Sequence, residues 1–481
     1  MHLELDGAGA KYEQLARALK QAIATGRIPP GTKLPSTRAL SQELGLARNT
    51  VVRAYELLGL ERLGVAREGA GTYVAESTVT PVRTVAAERV PPQSAYAARL
   101  RELPAVTLSR GPSGARYDFQ YGAPLLDTKL VTAWSTAVGA AAARASTSYP
   151  HPQGSAPLRE SICRFLALRR GVVANAQDIV IVSGAQQALS LLARVLLDAG
   201  DVAAIEEPHY QLAANCLRAH GADVVGVRTD EDGLVVGELP SSARLVHVTP
   251  SHQFPSGSLM SLGRRRELLQ FAGDNASWIV EDDYDGELSH VANPLPALSS
   301  LDGADRVIYV GTFSKILFPA LRLGYVVCPK GLRKDLVAAK AMDDLGCPAI
   351  EQDALQALFE RGAIDRHLVR SIAELRRRRV ALLEGLERHS ARHVRVARAD
   401  FGMHVVAWLP RFDQARLDRL IATGLARGLG LQSIHSHYAR PPRMPGLMLG
   451  FAGMFPRQIE AGMKLLGQCF EELEREAVQV S

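Results

Sequence analysis

Cysteine, tryptophan, charge imbalance and long apolar runs are all scarce in this chain, and each scarcity excludes something. Its five cysteines lack the close spacing of zinc ligands, which argues against a disulfide framework or metal knuckle and points to free thiols in a reducing compartment. No apolar stretch reaches the roughly 20 residues of a membrane-spanning helix; Arg194 interrupts the best of them. Met1-His-Leu-Glu-Leu-Asp6 lacks the basic and then apolar pattern of a signal peptide, so a cytoplasmic location with no membrane partner is expected. A formal net charge of +6 is too diffuse to announce nucleic-acid binding by itself. No internal repeat and no metal ligand set is visible. What is there, 47% hydrophobic and 22% charged residues in 481, is a globular balance with room for one large α/β domain and a small second one.

The chemistry concentrates in Gly311-Thr312-Phe-Ser314-Lys315 and in Arg322 shortly after it. A lysine that condenses with an aldehyde must be desolvated, because only the neutral amine is nucleophilic. An arginine in the same pocket suits a bidentate grip on phosphate. Alone, the pentapeptide reads equally well as a buried lysine in a Ser/Thr turn. Upstream, Trp278-Ile-Val-Glu-Asp282-Asp-Tyr284-Asp285 is an apolar strand running into acids. Asp282 and Tyr284 stand two apart and so share one face of an extended strand. Pyridoxal 5'-phosphate (PLP) needs such a set: a lysine to carry it as an aldimine, a carboxylate to keep its pyridine nitrogen protonated, and a hydroxyl for its phenolate oxygen. Lys315, Asp282 and Tyr284 fill these roles, and Arg322 with Thr312 the phosphate.

Residues 1–76 are a different object. Tyr12, Leu15, Leu19 and Ile23 recur at helical steps, and Gly26-Arg-Ile-Pro-Pro-Gly31 stops that helix. A second helix starts at Ser36-Thr37-Arg38, with Ser36 as its N-cap. In a third, Val51, Tyr55 and Leu58 form the buried stripe, leaving Arg48, Asn49, Thr50 and Arg53 at the exposed N-terminal end, where a recognition helix meets base edges and phosphates. Gly69-Ala-Gly71-Thr-Tyr-Val74 reads as the tight hairpin of a wing. Arg67 beside it is open between a phosphate contact and solvated surface.

These patterns resemble two known families. Residues 1–76 resemble the GntR type of winged helix-turn-helix, departing at Ala47, where that family favours Ser; the resemblance implies DNA contacts by Ser36, Thr37, Arg38, Arg48, Asn49, Thr50, Arg53 and Gly71. Residues 118–481 resemble a fold-type-I aminotransferase-like domain, an α/β fold with a mostly parallel central sheet, flanking helices and a smaller C-terminal subdomain. The motifs are Tyr149-Pro-His-Pro-Gln-Gly154 with Leu158-Arg159, Ser183-Gly-Ala185-Gln186-Gln187 after an apolar strand, Glu207-Pro-His-Tyr210, and Thr249-Pro-Ser-His252-Gln253-Phe254-Pro-Ser-Gly257. They imply that Ala185 and Gln186 open an anion-binding helix and that Tyr210 stacks on the ring. Phe254 stands where the family has Asn, leaving His252 or Gln253 to act with Tyr284, while Ser314 joins the phosphate side. Residues 77–117, with six arginines against two glutamates and five prolines, read as an extended, semi-rigid linker. The Arg376–Arg379 run reads as the charged face of a helix.

The combination resembles the MocR family of bacterial regulators. It implies a transcription regulator that binds a double-stranded DNA operator and senses PLP, or a small amine or amino acid effector, through Lys315, usually as a head-to-tail homodimer associated with the nucleoid. Vitamin B6, GABA and taurine metabolism are the family precedents. One departure bears on the effector: Met448 occupies the position of the arginine that holds an α-carboxylate, unless Arg440 or Arg443 replaces it, and a methionine cannot pair a carboxylate. His435 and His437 could offer polar contacts instead. The competing reading is an active aminotransferase carrying a DNA-binding domain; partial transamination stays open.

Overall fold

A computed structural model describes residues 3, 5–67, 69–76, 92–104, 114–122, 124–125, 127–397, 400–442 and 444–480, the last five by backbone only. They divide into two compact units, 1–92 and 93–481.

The first unit holds α1 (Lys11–Ala24), α2 (Thr37–Leu44), α3 (Arg48–Leu60) and an antiparallel hairpin of β1 (Gly64–Arg67) and β2 (Gly71–Val74). Leu15, Leu19, Leu40, Val51, Ala54 and Leu58 close one apolar core, so each helix spends its hydrophobic stripe inward. Ser36 Oγ accepts from the Ala39 amide at 3.1 Å and caps α2, while Gly45, at φ +62°, ends it in the left-handed conformation glycine adopts without strain. Tyr55 Oη donates to the Pro35 carbonyl at 2.8 Å, tying α3 to the start of α2.

The second unit opens with α4 (Ala95–Glu102), β3 (Tyr117–Asp118), α5 (Thr128–Ala142) and α6 (Ala156–Arg170). Here the expected extended linker is replaced over part of its length. Ser94 caps α4, Arg99 Nε donates to the Ala219 carbonyl at 2.8 Å, and Tyr96 lies on the His220 ring. The prolines that argued for extension flank this helix; positions 77–91 and 105–113 lie outside the described residues.

A large sheet follows in the order β4 (Ile179–Val182), α7 (Ala185–Leu196), β5 (Val202–Glu207), α8 (Gln211–His220), β6 (Asp223–Asp230) and β7 (Gly233–Leu234). It is completed by β8 (Ala243–Val248), α9 (Leu262–Asp274), β9 (Trp278–Asp283), β10 (Val307–Thr312) and β11 (Gly324–Val327). In space the strands run β4-β11-β10-β9-β8-β5-β6-β7, parallel through the centre, with β11 and β7 antiparallel to their neighbours. β10 is buried along its whole length, as a central strand covered on both faces must be, and β4 at the edge of the sheet is buried too. Ser183, Thr249, Asp282 and Thr312 therefore come together at the C-terminal ends of four strands, where open α/β sheets place their ligands.

Helices α10 (Arg333–Asp344), α11 (Ala349–Glu360) and α12 (Ala363–Ser390) lead to the smaller subdomain. It comprises β12 (Arg395–Val396), β13 (His404–Trp408), α13 (Gln414–Ala426), β14 (Leu429–Gly430), β15 (Gln432–Ser433), β16 (Gly446–Gly450) and α14 (Pro456–Val480). Its sheet runs β12-β13-β16-β15. Within α12 the four-arginine run is not uniformly a solvated face: Arg378 is buried, with Nε on Glu374 at 2.9 Å and Nη1 donating to the Ala452 carbonyl.

Candidate functional site

β9 divides its acids between two faces. Glu281 accepts from the Leu298 and Ser299 amides at 2.7 and 2.8 Å. Asp283 accepts from Arg170 Nε and Tyr309 Oη, both at 2.7 Å. Asp282 faces the other way. Its Oδ2 lies 3.4 Å from His247 Nε2, and its Oδ1 is buried with no partner among the described residues, the state of an acceptor that awaits a donor.

The lysine stands across from it. Lys315 Nζ lies 4.3 Å from the centre of the Tyr121 ring. Burial lowers its pKa from the ordinary 10.5 to about 8, against the opposing pull of Asp285, so a useful fraction is neutral near physiological pH. Thr312 Oγ1 donates to Ser314 Oγ at 3.0 Å and accepts from the Ser314 amide, shaping the turn that carries the lysine.

On the phosphate side, Arg322 Nη2 donates to the Ser183 carbonyl at 2.9 Å. The guanidinium thus sits at the N-terminus of α7, beside the amides of Ala185 and Gln186. Gly184 makes this approach possible: at φ +80° a Cβ there would lie 3.1 Å from Arg322 Nη2. Tyr210 caps α8 between the two ends of the site, and its hydroxyl is pushed up to about 12, by burial first and by Asp282 second, with Arg322 opposing.

Around the tyrosine the expected alternatives separate. Tyr284 Oη is 2.9 Å from His252 Nδ1, which also lies 2.9 Å from Asp285 Oδ2. Gln253 does not reach Tyr284: its amide donates to the Pro208 and Phe254 carbonyls at 2.7 and 2.8 Å, and its oxygen accepts from Ser256. Phe254 has become the hub of an aromatic cluster, with Tyr121, Tyr210, Tyr284, His404 and His437 all within 6.1 Å of it between ring centres. Met448 is fully buried. Arg440 is exposed and lines a neighbouring cleft of about 1470 Å³ with Glu207 and Pro208; Arg443 lies outside the described residues.

Several members of the site escaped the sequence reading. Tyr121, Asp285, His247 and His404 come from four separate segments. Only Asp285 carried a local signal, since it extends the acidic end of β9. Glu206, buried and pushed upward by desolvation, accepts from the Thr249 hydroxyl at 2.6 Å and stiffens the turn before His252.

In the first unit, Arg38, Arg48, Asn49 and Arg53 are exposed, and Thr37 and Thr50 are half-buried. Arg53 lies over the Tyr12 ring at 5.3 Å. Ala47 has no side-chain oxygen to cap α3, and the Thr50 amide bonds instead to the Ala47 carbonyl at 2.9 Å. Gly71, at φ +104°, turns the hairpin beside Lys33. Arg67 is laid on the Tyr73 ring at 4.7 Å and reaches Glu76 at 3.8 Å.

The pocket fits PLP: an orphaned buried carboxylate, an amine of lowered pKa, and a guanidinium at a helix N-terminus lie round a phenol ring. Residues 11–74 match the family of bacterial regulatory proteins, gntR family, and residues 117–412 match aminotransferase class I and II. Over 98% of its length the chain is 32% identical to the probable rhizopine catabolism regulatory protein MocR of Rhizobium meliloti, covering 96% of that protein. It is 31% identical to the HTH-type pyridoxine biosynthesis transcriptional regulator PdxR of Corynebacterium glutamicum, over 91% of each chain. Among solved structures, the α-aminoadipate aminotransferase LysN of Thermus thermophilus, complexed with N-(5'-phosphopyridoxyl)-L-leucine, superposes with a TM-score of 0.70 at 28% identity, over 80% of this chain and 98% of that one.

Proposed function

This chain belongs to the MocR family, in which a GntR-type winged helix-turn-helix is joined to an aminotransferase-fold domain, and on that premise we propose that Lys315 is where a small primary amine, or PLP itself, is sensed. The protein is a PLP-dependent transcription regulator that binds operator DNA. PLP supplies an electrophilic carbon for primary amines and an electron-withdrawing ring. Asp282 holds a proton at the pyridine nitrogen, with His247 behind it. Tyr284, oriented by His252 and Asp285, donates to the ring oxygen. Arg322, Thr312, Ser314 and the first amides of α7 hold the phosphate, and Tyr210 covers the ring.

The observation that carries this reading is the Lys315 amine: desolvated, lowered to about 8, and over the Tyr121 ring in the pocket that holds the Asp282 oxygen, which has no partner among the described residues. Operator contacts fall to Arg38, Arg48, Asn49, Thr50 and Arg53, with Ser36, Thr37 and Gly71 at the flanks. The binding partner in solution is a second copy of the chain, head to tail as in the family. Exposed Tyr149, Met342 and Leu345 support a homodimer, since they leave apolar surface open next to α7. For regulation, ligand and operator must favour different arrangements of that dimer.

The test is an absorbance titration with PLP, with operator binding followed in the same samples and Lys315→Ala as control. A lysine-dependent visible band whose appearance, or whose shift by an amine, changes DNA binding supports the proposal. A winged helix indifferent to PLP, to amines and to Lys315→Ala overturns it. Steady turnover of an amino donor with a 2-oxo acid would instead make the protein an enzyme.

A further inference from the structure

The residues that would receive an effector beyond Lys315 are set by the face that the smaller sheet turns towards it. Leu447 and Leu449 of β16, and Val405 and Ala407 of β13, pack into the core. Their neighbours Met448, Val406 and His404 therefore lie on the opposite face, with Met448 paired to Val406 and His404 to Gly450. That face abuts the Tyr121 segment. A Cβ on Gly450 would stand 2.5 Å from the Gln120 carbonyl, and Gln432, the other cross-strand partner of Met448, accepts from the Tyr121 amide at 3.3 Å. Met448 thus faces the side of the pocket where Tyr121 meets Lys315.

Several polar atoms on this side are buried and have no partner among the described residues. Tyr121 Oη, His252 Nε2 and His404 Nδ1 are buried without partners among the described residues, and the His437 ring beside them meets, among polar groups, only the backbone of His209. Of these, Tyr121, His404 and His437 are not among the groups assigned above to PLP. Desolvation holds His404 well below its ordinary pKa and His437 down at about 4, so both imidazoles are uncharged at neutral pH. Among the described residues, the charge that acts on the Lys315 amine is the carboxylate of Asp285, and it is already committed to His252. A second anion brought here would be desolvated, and the arginine that would meet it is replaced by Met448, which is costly. A second ammonium would find the nearest carboxylate occupied. Neutral imidazoles and a phenol, each able to donate or accept, suit hydroxyl groups, and the aromatic faces round Phe254 suit a carbon skeleton.

We propose that the effector is a primary amine whose other functional groups are uncharged hydroxyls, an amino alcohol or amino polyol, recognised by Tyr121, His404 and His437 in a pocket from which Met448 removes carboxylate affinity. This rests on the Lys315 reading above and deepens it.

The experiment titrates the PLP-loaded full-length protein with serinol and glucosamine against alanine, GABA, taurine and putrescine, reading both the visible band and the thermal midpoint. Serinol or glucosamine should half-saturate the shift at a concentration at least about tenfold below the charged amines, the discrimination expected when a site built for hydroxyls rejects a ligand that leaves them unpaired. Met448→Arg should narrow or reverse that preference in favour of alanine. Equal or tighter response to alanine, GABA, taurine or putrescine in the wild type overturns the proposal. So does a Lys315-dependent band that no amine moves, although the regulator would then stand with PLP itself as its signal. Absence of any Lys315-dependent band defeats the proposed function and this inference together.

Discussion

Arg170 Nε donates to Asp283 Oδ2 at 2.7 Å, with both side chains sealed from solvent, directly behind the strand residue whose neighbour Asp282 faces the pocket. The same guanidinium donates to Ser251 Oγ at 2.6 Å and to the Gly286 carbonyl at 3.1 Å, so one cation ties together the end of β9 and the turn that carries His252. Removing one partner of such a pair strands a buried charge. Arg170→Ala should therefore lower stability by about 3–5 kcal/mol, read as the denaturant midpoint of the second unit. A loss near zero would mean that the pair is not sealed in solution.

The lysine supplies a pH prediction. Its amine has a folded-state pKa of about 8 against an ordinary 10.5. Because the neutral form reacts, the rate of PLP uptake should rise as pH passes through about 8 and level off above it. Between those two values the unfolded chain binds a proton that the folded apo-protein does not. Stability of the apo-protein should therefore rise with pH across that window, and the contribution should vanish in Lys315→Met. A rate that keeps climbing towards pH 10.5 would show an unperturbed lysine.

Arg322 should dominate phosphate affinity. Its loss removes charge-assisted hydrogen bonds of about 1.5–3 kcal/mol, so Arg322→Ala should weaken PLP about 10- to 150-fold in a direct titration. Gly184→Ala acts on the same contact from the other side, through its positive φ and the 3.1 Å approach to Arg322. It should weaken PLP in the same direction while leaving the winged helix folded.

At the operator, Arg48 and Arg38 should act mainly through phosphates. Each change to Ala should reduce the slope of log affinity against log salt by about 0.9, measured by a salt series of DNA-binding isotherms. Asn49→Ala, at the exposed start of α3, should change the sequence preference instead if that end reads base edges as proposed.

Tyr284→Phe tests the relay that replaces the family's usual Asn. Without its hydroxyl, His252 keeps Asp285 but loses the route to the ring oxygen. The visible band of the bound cofactor should titrate at a different pH, with PLP still bound through Arg322. An unchanged pH profile would remove Tyr284 from that role.

The parts legible in the sequence are those whose physics is local. Alternation along β9 separated Asp282 from Glu281 and Asp283 because strand geometry has a period of two residues, whereas Tyr284, expected on the same strand face, stands in the bend just past the strand. The apolar stripe of α3 exposed Arg48 and Asn49 by the same kind of argument, and Gly184 followed by Ala185 marked an anion-binding helix start. Where local signals misled, a tertiary partner had intervened: α8 gives α4 a surface to fold on in a segment whose prolines read as extended, and Gln253 is consumed by the carbonyls of its own turn. His252 was one of two candidates beside Tyr284, and Asp285 extended the acidic end of β9, but Tyr121, His247 and His404 carried no local signal. They come from separate segments and meet the site only because parallel strands end on one edge and the smaller sheet folds over it. The sequence alone thus determined which cofactor chemistry and which kind of DNA-binding module this protein carries, since motif residues keep their spacing along the backbone. Only the tertiary structure decided that His404 and His437 are buried and held uncharged, because burial and the choice of neighbours, which set those charges, are properties of the closed fold.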